Sequence, residues 1–180
     1  MAIIQMKVSE LISRGEDVRT MLQPISKIEY GPAWERKSNP GGIIIAVHDG
    51  ANPTSDYRNF RFSTFVHDFQ AMYFELWRRT EEDEQYWYLD RAYLSIYQLI
   101  NRQEKEFLCL HCDPNIFDKG KYKKGPHLHI KAADHPLPHA HFALNLGHLD
   151  AVLASVDSLS QAMRSGILML KEEVLDRYSS

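Results

Sequence analysis

The chain reads as an α+β domain: an antiparallel sheet built from hairpins, covered by a central helix and by N- and C-terminal helices. Three observations predict this. Short segments rich in β-branched and aromatic residues follow one another through the second half, separated by turn residues. Segments with helical periodicity lie at both ends and once between. No regular strand–helix alternation occurs, and no Gly-rich phosphate loop follows a strand, which argues against a parallel doubly wound sheet. With 180 residues, 44% of them apolar, residues 1–180 can bury the core of a single domain.

The elements follow in order. Val8, Leu11, Ile12, Val18, Met21 and Leu22 fall near helical spacing, with Ser9 as a cap and Pro24 as a stop; Gly15 leaves open a division into two shorter helices. Ile25–Tyr30 and Ile43–His48 read as strands, ended by Gly31-Pro32 and Asp49-Gly50, and residues 51–58 read as a loop. Phe65, Val66, Phe69, Met72, Tyr73, Leu76 and Trp77 mark one face of the central helix, capped by Ser63 or Thr64. The acidic run Thr80–Glu84 is a solvated connector. Tyr86–Leu89 and Ala92–Ile100 are two strands or one bent strand, Asn101–Lys105 is a polar turn, and Glu106–Cys112 is the return strand. A loop over 113–126 leads to two strands, His127–Lys131 and His139–Leu144. The tail from Asp150 to Tyr178 is helical, with a break near Gly166.

Composition excludes several classes. The net charge of −3 is not that of a uniformly basic nucleic-acid binder. The longest apolar stretch, Ile43–Val47, is too short to span a bilayer, and Met1–Met6 lacks the features of a secretory signal. With only two cysteines, these features predict a cytoplasmic protein with no membrane association. A homo-oligomer stays open.

The chemical interest lies in five of the nine histidines, between positions 127 and 141. In His127-Leu128-His129-Ile130 and His139-Ala140-His141-Phe142, strand alternation puts the apolar residues on one face and the imidazoles on the other. A hairpin centred on Asp134 sets His129 opposite His139 and His127 opposite His141. Directly opposed residues have Cβ atoms about 4.5–5.5 Å apart, so four rings share one patch. Three readings fit. Neutral imidazoles hold zinc, copper, nickel or iron. Alternatively, two of His127, His129, His139 and His141 exchange protons as general base and acid, as phosphodiester cleavage by a neighbouring hydroxyl requires. The third reading is an inert, solvated strand face.

Lys119, Lys121, Lys123 and Lys124 precede the hairpin and Lys131 ends its first strand. Against Asp118 and Asp134 they give this segment a local charge of +3. Such a field draws in phosphate, with Lys121, Lys123, Lys124 and Lys131 as binding residues, and Phe117 or Tyr122 could stack on a base. Cys109-Leu110-His111-Cys112 has only half the ligands of a structural zinc site, so both cysteines read as small buried residues. His111 shares a face with Cys109 and matters only if its strand neighbours the histidine hairpin. His67 and His135 read as exposed, and His48 ends a strand beside Asp49.

The second half, through Tyr93 and Tyr97, Asp113 with Asn115, Lys124-Gly125 and His127-Leu128-His129, resembles the TumE-type toxins of bacterial toxin–antitoxin pairs. That resemblance implies interference with RNA and a cognate antitoxin partner. A second similarity, to the cupin metal pattern, runs through His127-x-His129, Asp134 and His141-x-x-x-Asn145. The sequence-level expectation is therefore a histidine-dependent phosphodiesterase, a toxin-like ribonuclease acting on RNA or another phosphate-bearing substrate. The alternatives are a His-ligated metal protein, hydrolytic or oxidative, with a divalent transition metal as cofactor, and a non-catalytic interaction protein.

Overall fold

A computed structural model describes residues 4–27, 33–39, 42–49, 60–114, 121–131 and 139–179. It is an α+β arrangement around a nine-stranded antiparallel sheet. The elements are β1 (Gln5–Lys7), α1 (Leu11–Leu22), β2 (Ala33–Asn39), β3 (Gly42–His48), β4 (Arg61–Ser63), β5 (Phe69–Arg79), β6 (Tyr86–Ile100), β7 (Gln103–Cys112), α2 (Lys121–Lys124), β8 (His127–Lys131), β9 (His139–Ala143), α3 (Leu149–Val152) and α4 (Val156–Leu170). The strand order is β2-β3-β5-β6-β7-β8-β9, with β1 paired to β6 and β4 to β5. From β5 to β9 the chain is a meander, so strands adjacent in sequence are adjacent in space. Among the described residues no helix is long and apolar enough to cross a membrane.

Alternation sorts the sheet residues onto two faces. On one, Val47, Tyr73, Leu94, Leu110 and Leu128 stand in register across β3, β5, β6, β7 and β8. They join a cluster that includes Leu11, Val18 and Leu22 of α1 and Leu159, Met163 and Ile167 of α4, with Leu128 half-buried at its margin. Gly166 allows α4 its close approach to β7: a Cβ there would lie 2.9 Å from Leu110 Cδ2. On the other face Ile44, Ala46, Phe60, Met72, Phe74 and Leu76 form a smaller buried cluster, with Tyr93 and Tyr97 against it. His111, His127, His129 and His141 lie on this second face.

The predicted central helix is a strand. Phe69–Arg79 forms β5, and Arg61–Ser63 pairs with it. The reason is burial on both faces. Seven of its eleven positions in succession, Ala71 to Trp77, are buried, so the apolar residues form a run without clear period 2. A fully buried strand of this kind cannot be told from a helix by periodicity. Ile25 closes a 3-10 turn (Gln23–Ile25) and Ser26 makes only an isolated bridge to Thr64, so no strand begins there; residues 28–30 of that prediction lie outside the described residues. The sequence pattern does not predict the polar strand β2, because its Glu, Arg, Lys, Ser and Asn carry no apolar alternation.

Elsewhere the boundaries move. α1 is one helix through a buried Gly15, with Glu10 rather than Ser9 at its N-cap. Tyr86–Ile100 is a single strand, irregular where Asp90 is extra between the Leu76–Arg91 and Trp77–Leu89 pairs. The turn after it is two residues, Asn101 and Arg102, both at positive φ, as a tight hairpin requires. The C-terminal helical region is interrupted before Ser155 and not at Gly166; Ser155 and Ser158 make reciprocal capping bonds that restart the chain as α4. The predicted loop over 51–58, residues 115–120 of the predicted loop over 113–126, and His135 lie outside the described residues, while Lys121–Lys124 of the second loop form the one-turn helix α2.

Candidate metal centre

Two rungs of the sheet build the site. One runs Phe74, Tyr93, His111, His127; the next runs Met72, Ser95, Cys109, His129, His141. Each is a line of directly paired residues whose side chains leave the sheet on the same face. His111 and His127 sit side by side on the first rung, and His129 and His141 on the second.

The four rings converge. One ligand nitrogen from each of His111, His127, His129 and His141 lies within 4.8 Å of all the others. Ring centroids are 4.0 Å apart for His111–His127, 4.2 Å for His111–His129 and 3.7 Å for His129–His141. His129 Nε2 is 2.8 Å from His141 Nδ1 and 2.6 Å from its Nε2. The cluster is graded from floor to rim. His127 is fully buried and His111 nearly so, while His129 is half-buried and His141 exposed.

The floor histidines have unusual surroundings. His127 Nδ1 lies 3.0 Å from the Gly125 carbonyl, which fixes the proton on Nδ1 and leaves Nε2 as an acceptor. That Nε2 is buried and has no hydrogen-bond partner among the described residues. Neither ring nitrogen of His111 has one either. Native proteins pair nearly all such groups, and an unpaired one costs about 1–3 kcal/mol. Burial pushes the His111 imidazolium pKa down to about 2, helped by His127, His129 and His141 and then by Lys123. Burial also lowers His127, opposed by the Gly125 carbonyl and by Asp113. Both rings are therefore neutral, the state in which imidazole ligates a metal.

The hairpin register differs from the predicted one. It is His129 that faces His141, while His127 faces Ala143 and His139 faces Lys131. The shift is by two residues, which keeps every side chain on its predicted face and changes only the partners. His139 is one pair further from the cluster than His141, and its side chain, like those of Lys121 and Lys131, lies outside the described residues. Among the described residues the fourth ring of the cluster is that of His111, on β7. The order of strands in a meander is the signal that finds it, since β7 is the hairpin's neighbour in sequence.

Of the lysines, Lys123 and Lys124 are half-buried on α2. Their carbonyls accept from Asp113 N at 3.0 Å and from Cys112 Sγ at 2.7 Å, which ties α2 to the end of β7. Both cysteines are buried, on opposite faces, with Cys109 accepting from Ser95 Oγ at 3.3 Å. His67 is exposed, and His48 is buried away from the cluster near Phe60. No family model, curated protein or solved structure matches the chain.

An all-imidazole donor set suits zinc, copper, nickel or iron. His111, His127, His129 and His141 each offer one nitrogen within 4.8 Å of the others, and these four residues would hold such an ion. A solvent-facing rim beside a buried floor leaves one side for water or substrate.

Proposed function

We propose that this protein is a histidine-ligated transition-metal protein, with His111 and His127 as the buried ligands and His129 and His141 as the ligands nearer solvent. The observation that carries the reading is the pair of buried rings, three of whose four nitrogens lack a hydrogen-bond partner among the described residues, set against two more imidazoles. A metal ion would satisfy one bare nitrogen of each ring. On its open side it would activate a water for hydrolysis or bind a small oxidant. Purified chain supplied with zinc, copper or iron should hold about one ion per molecule by elemental analysis. Failure to retain any of the three in stoichiometric amount overturns the reading.

One observation favours a second reading. The close approach of His129 and His141 favours one neutral and one protonated ring, the base that takes the attacking hydroxyl's proton and the acid that protonates the leaving oxygen in phosphodiester cleavage. Lys123 and Lys124 would offset phosphate charge, and the resemblance to TumE-type toxins points to RNA as substrate and an antitoxin as partner. RNA cleavage that persists under chelator and disappears in His129→Ala would favour this reading over the metal.

A further inference from the structure

Asp113 follows β7 by one residue and turns back toward the cluster. Its Oδ2 lies 3.5 Å from His111 Nδ1, just beyond hydrogen-bond reach, and its Oδ1 accepts from the Tyr93 hydroxyl at 3.0 Å. Tyr93 is the cross-strand partner of His111, and the two rings meet edge to face with centroids 4.6 Å apart. The Asp113 backbone N–H donates to the Lys123 carbonyl at 3.0 Å. The residue is thus held at two points, its carboxylate by the Tyr93 hydroxyl and its backbone by the Lys123 carbonyl, and its side chain is largely buried.

We propose that Asp113, oriented by Tyr93, is the positioning residue of the metal centre: it selects the tautomer of His111 and aims the ring's other nitrogen at the ion. The inference rests on the metal reading above. A neutral imidazole carries one proton, and only its bare nitrogen can ligate. A carboxylate beside Nδ1 draws the proton there and leaves Nε2 for the metal. It also raises the basicity of the ligand, because the partial positive charge that ligation puts on the ring is offset nearby. The Gly125 carbonyl does the corresponding work for His127. The two floor ligands then have matching supports, a carboxylate and a backbone carbonyl, both on Nδ1. The other carboxylate oxygen is occupied by Tyr93, which stops Asp113 from turning away.

The test uses the full chain, with cobalt(II) as a spectroscopic probe and zinc(II) in competition with a chelator. Asp113→Asn keeps the shape and removes the charge. It should weaken zinc binding by about 10–100-fold and alter the cobalt ligand-field spectrum. Unfolding of the metal-free protein should stay near wild type, a separation that a merely structural role would not produce. Asp113→Glu should recover part of the affinity. If wild type binds neither ion, the metal reading and this inference fall together. If wild type binds and Asp113→Asn binds equally with an unchanged spectrum, only this inference falls. Should Asp113→Asn not fold, Tyr93→Phe decides: a loss of about threefold or more supports the role of the pair, and unchanged affinity overturns it.

Discussion

His111 stands directly opposite His127 across the β7–β8 ladder, with ring centroids 4.0 Å apart and both side chains buried. Three of their four ring nitrogens have no hydrogen-bond partner among the described residues. Such a pairing is unfavourable for stability by itself, so its presence on a well-packed sheet asks for a compensating ligand. Stability and ligand binding should therefore respond in opposite directions when the pair is altered.

His111→Leu replaces two buried, unpartnered nitrogens with apolar surface of similar volume. The metal-free variant is expected to be as stable as wild type or about 1 kcal/mol more stable. Its metal occupancy should fall sharply, and the stabilisation that added zinc gives wild type should vanish. His139→Ala, whose register position is opposite Lys131, should keep its metal. Thermal unfolding with and without zinc, together with elemental analysis, measures both effects. Retained occupancy in His111→Leu, or its loss in His139→Ala, contradicts the ligand set.

Between α1 and the sheet, Glu75 is wholly buried and accepts four hydrogen bonds: two from Arg14, at 2.6 and 3.0 Å, one from Tyr73 at 2.8 Å and one from Trp77 at 2.9 Å. Arg14 also donates to Ser160 on α4 at 2.7 Å, so the network joins both long helices to β5. Glu75→Leu strands a buried guanidinium and should destabilise the fold by about 3–5 kcal/mol. The double variant Arg14→Met with Glu75→Leu should recover much of that loss, since no charge is then left unpaired. Urea unfolding of the three proteins gives the comparison, and a single-variant loss below about 1 kcal/mol would count against the network.

Tyr73 supplies a pH prediction. Burial, and then the neighbouring Glu75 carboxylate, raise its hydroxyl pKa well above the ordinary tyrosine value. At pH above about 10 the unfolded chain releases this proton while the folded chain keeps it, so the folded state binds more protons and stability falls as pH rises. The contribution is complete below that range and is lost above it, at up to about 1.4 kcal/mol per pH unit. Tyr73→Phe should lose about 1 kcal/mol at neutral pH, through the missing hydrogen bond, yet show a shallower alkaline decline. Equal slopes for the two proteins in alkaline urea titrations would refute the assignment.

Sequence alone determined the alternation of His127, His129 and His141, because period 2 needs only consecutive residues. It also located β3, the β6–β7 hairpin and the closing helix, whose turn residues and apolar spacing are local. It misassigned β5, since a strand buried on both faces carries no alternation to read. Register and strand order were decided in three dimensions. Pairing shifted by two residues substitutes His141 for His139 opposite His129 without moving any side chain to the wrong face, so hydrophobic patterning cannot distinguish the two. His111 and Asp113 enter the site only because β7 lies against β8, and that proximity depends on long-range hydrogen bonding that no short window of sequence contains.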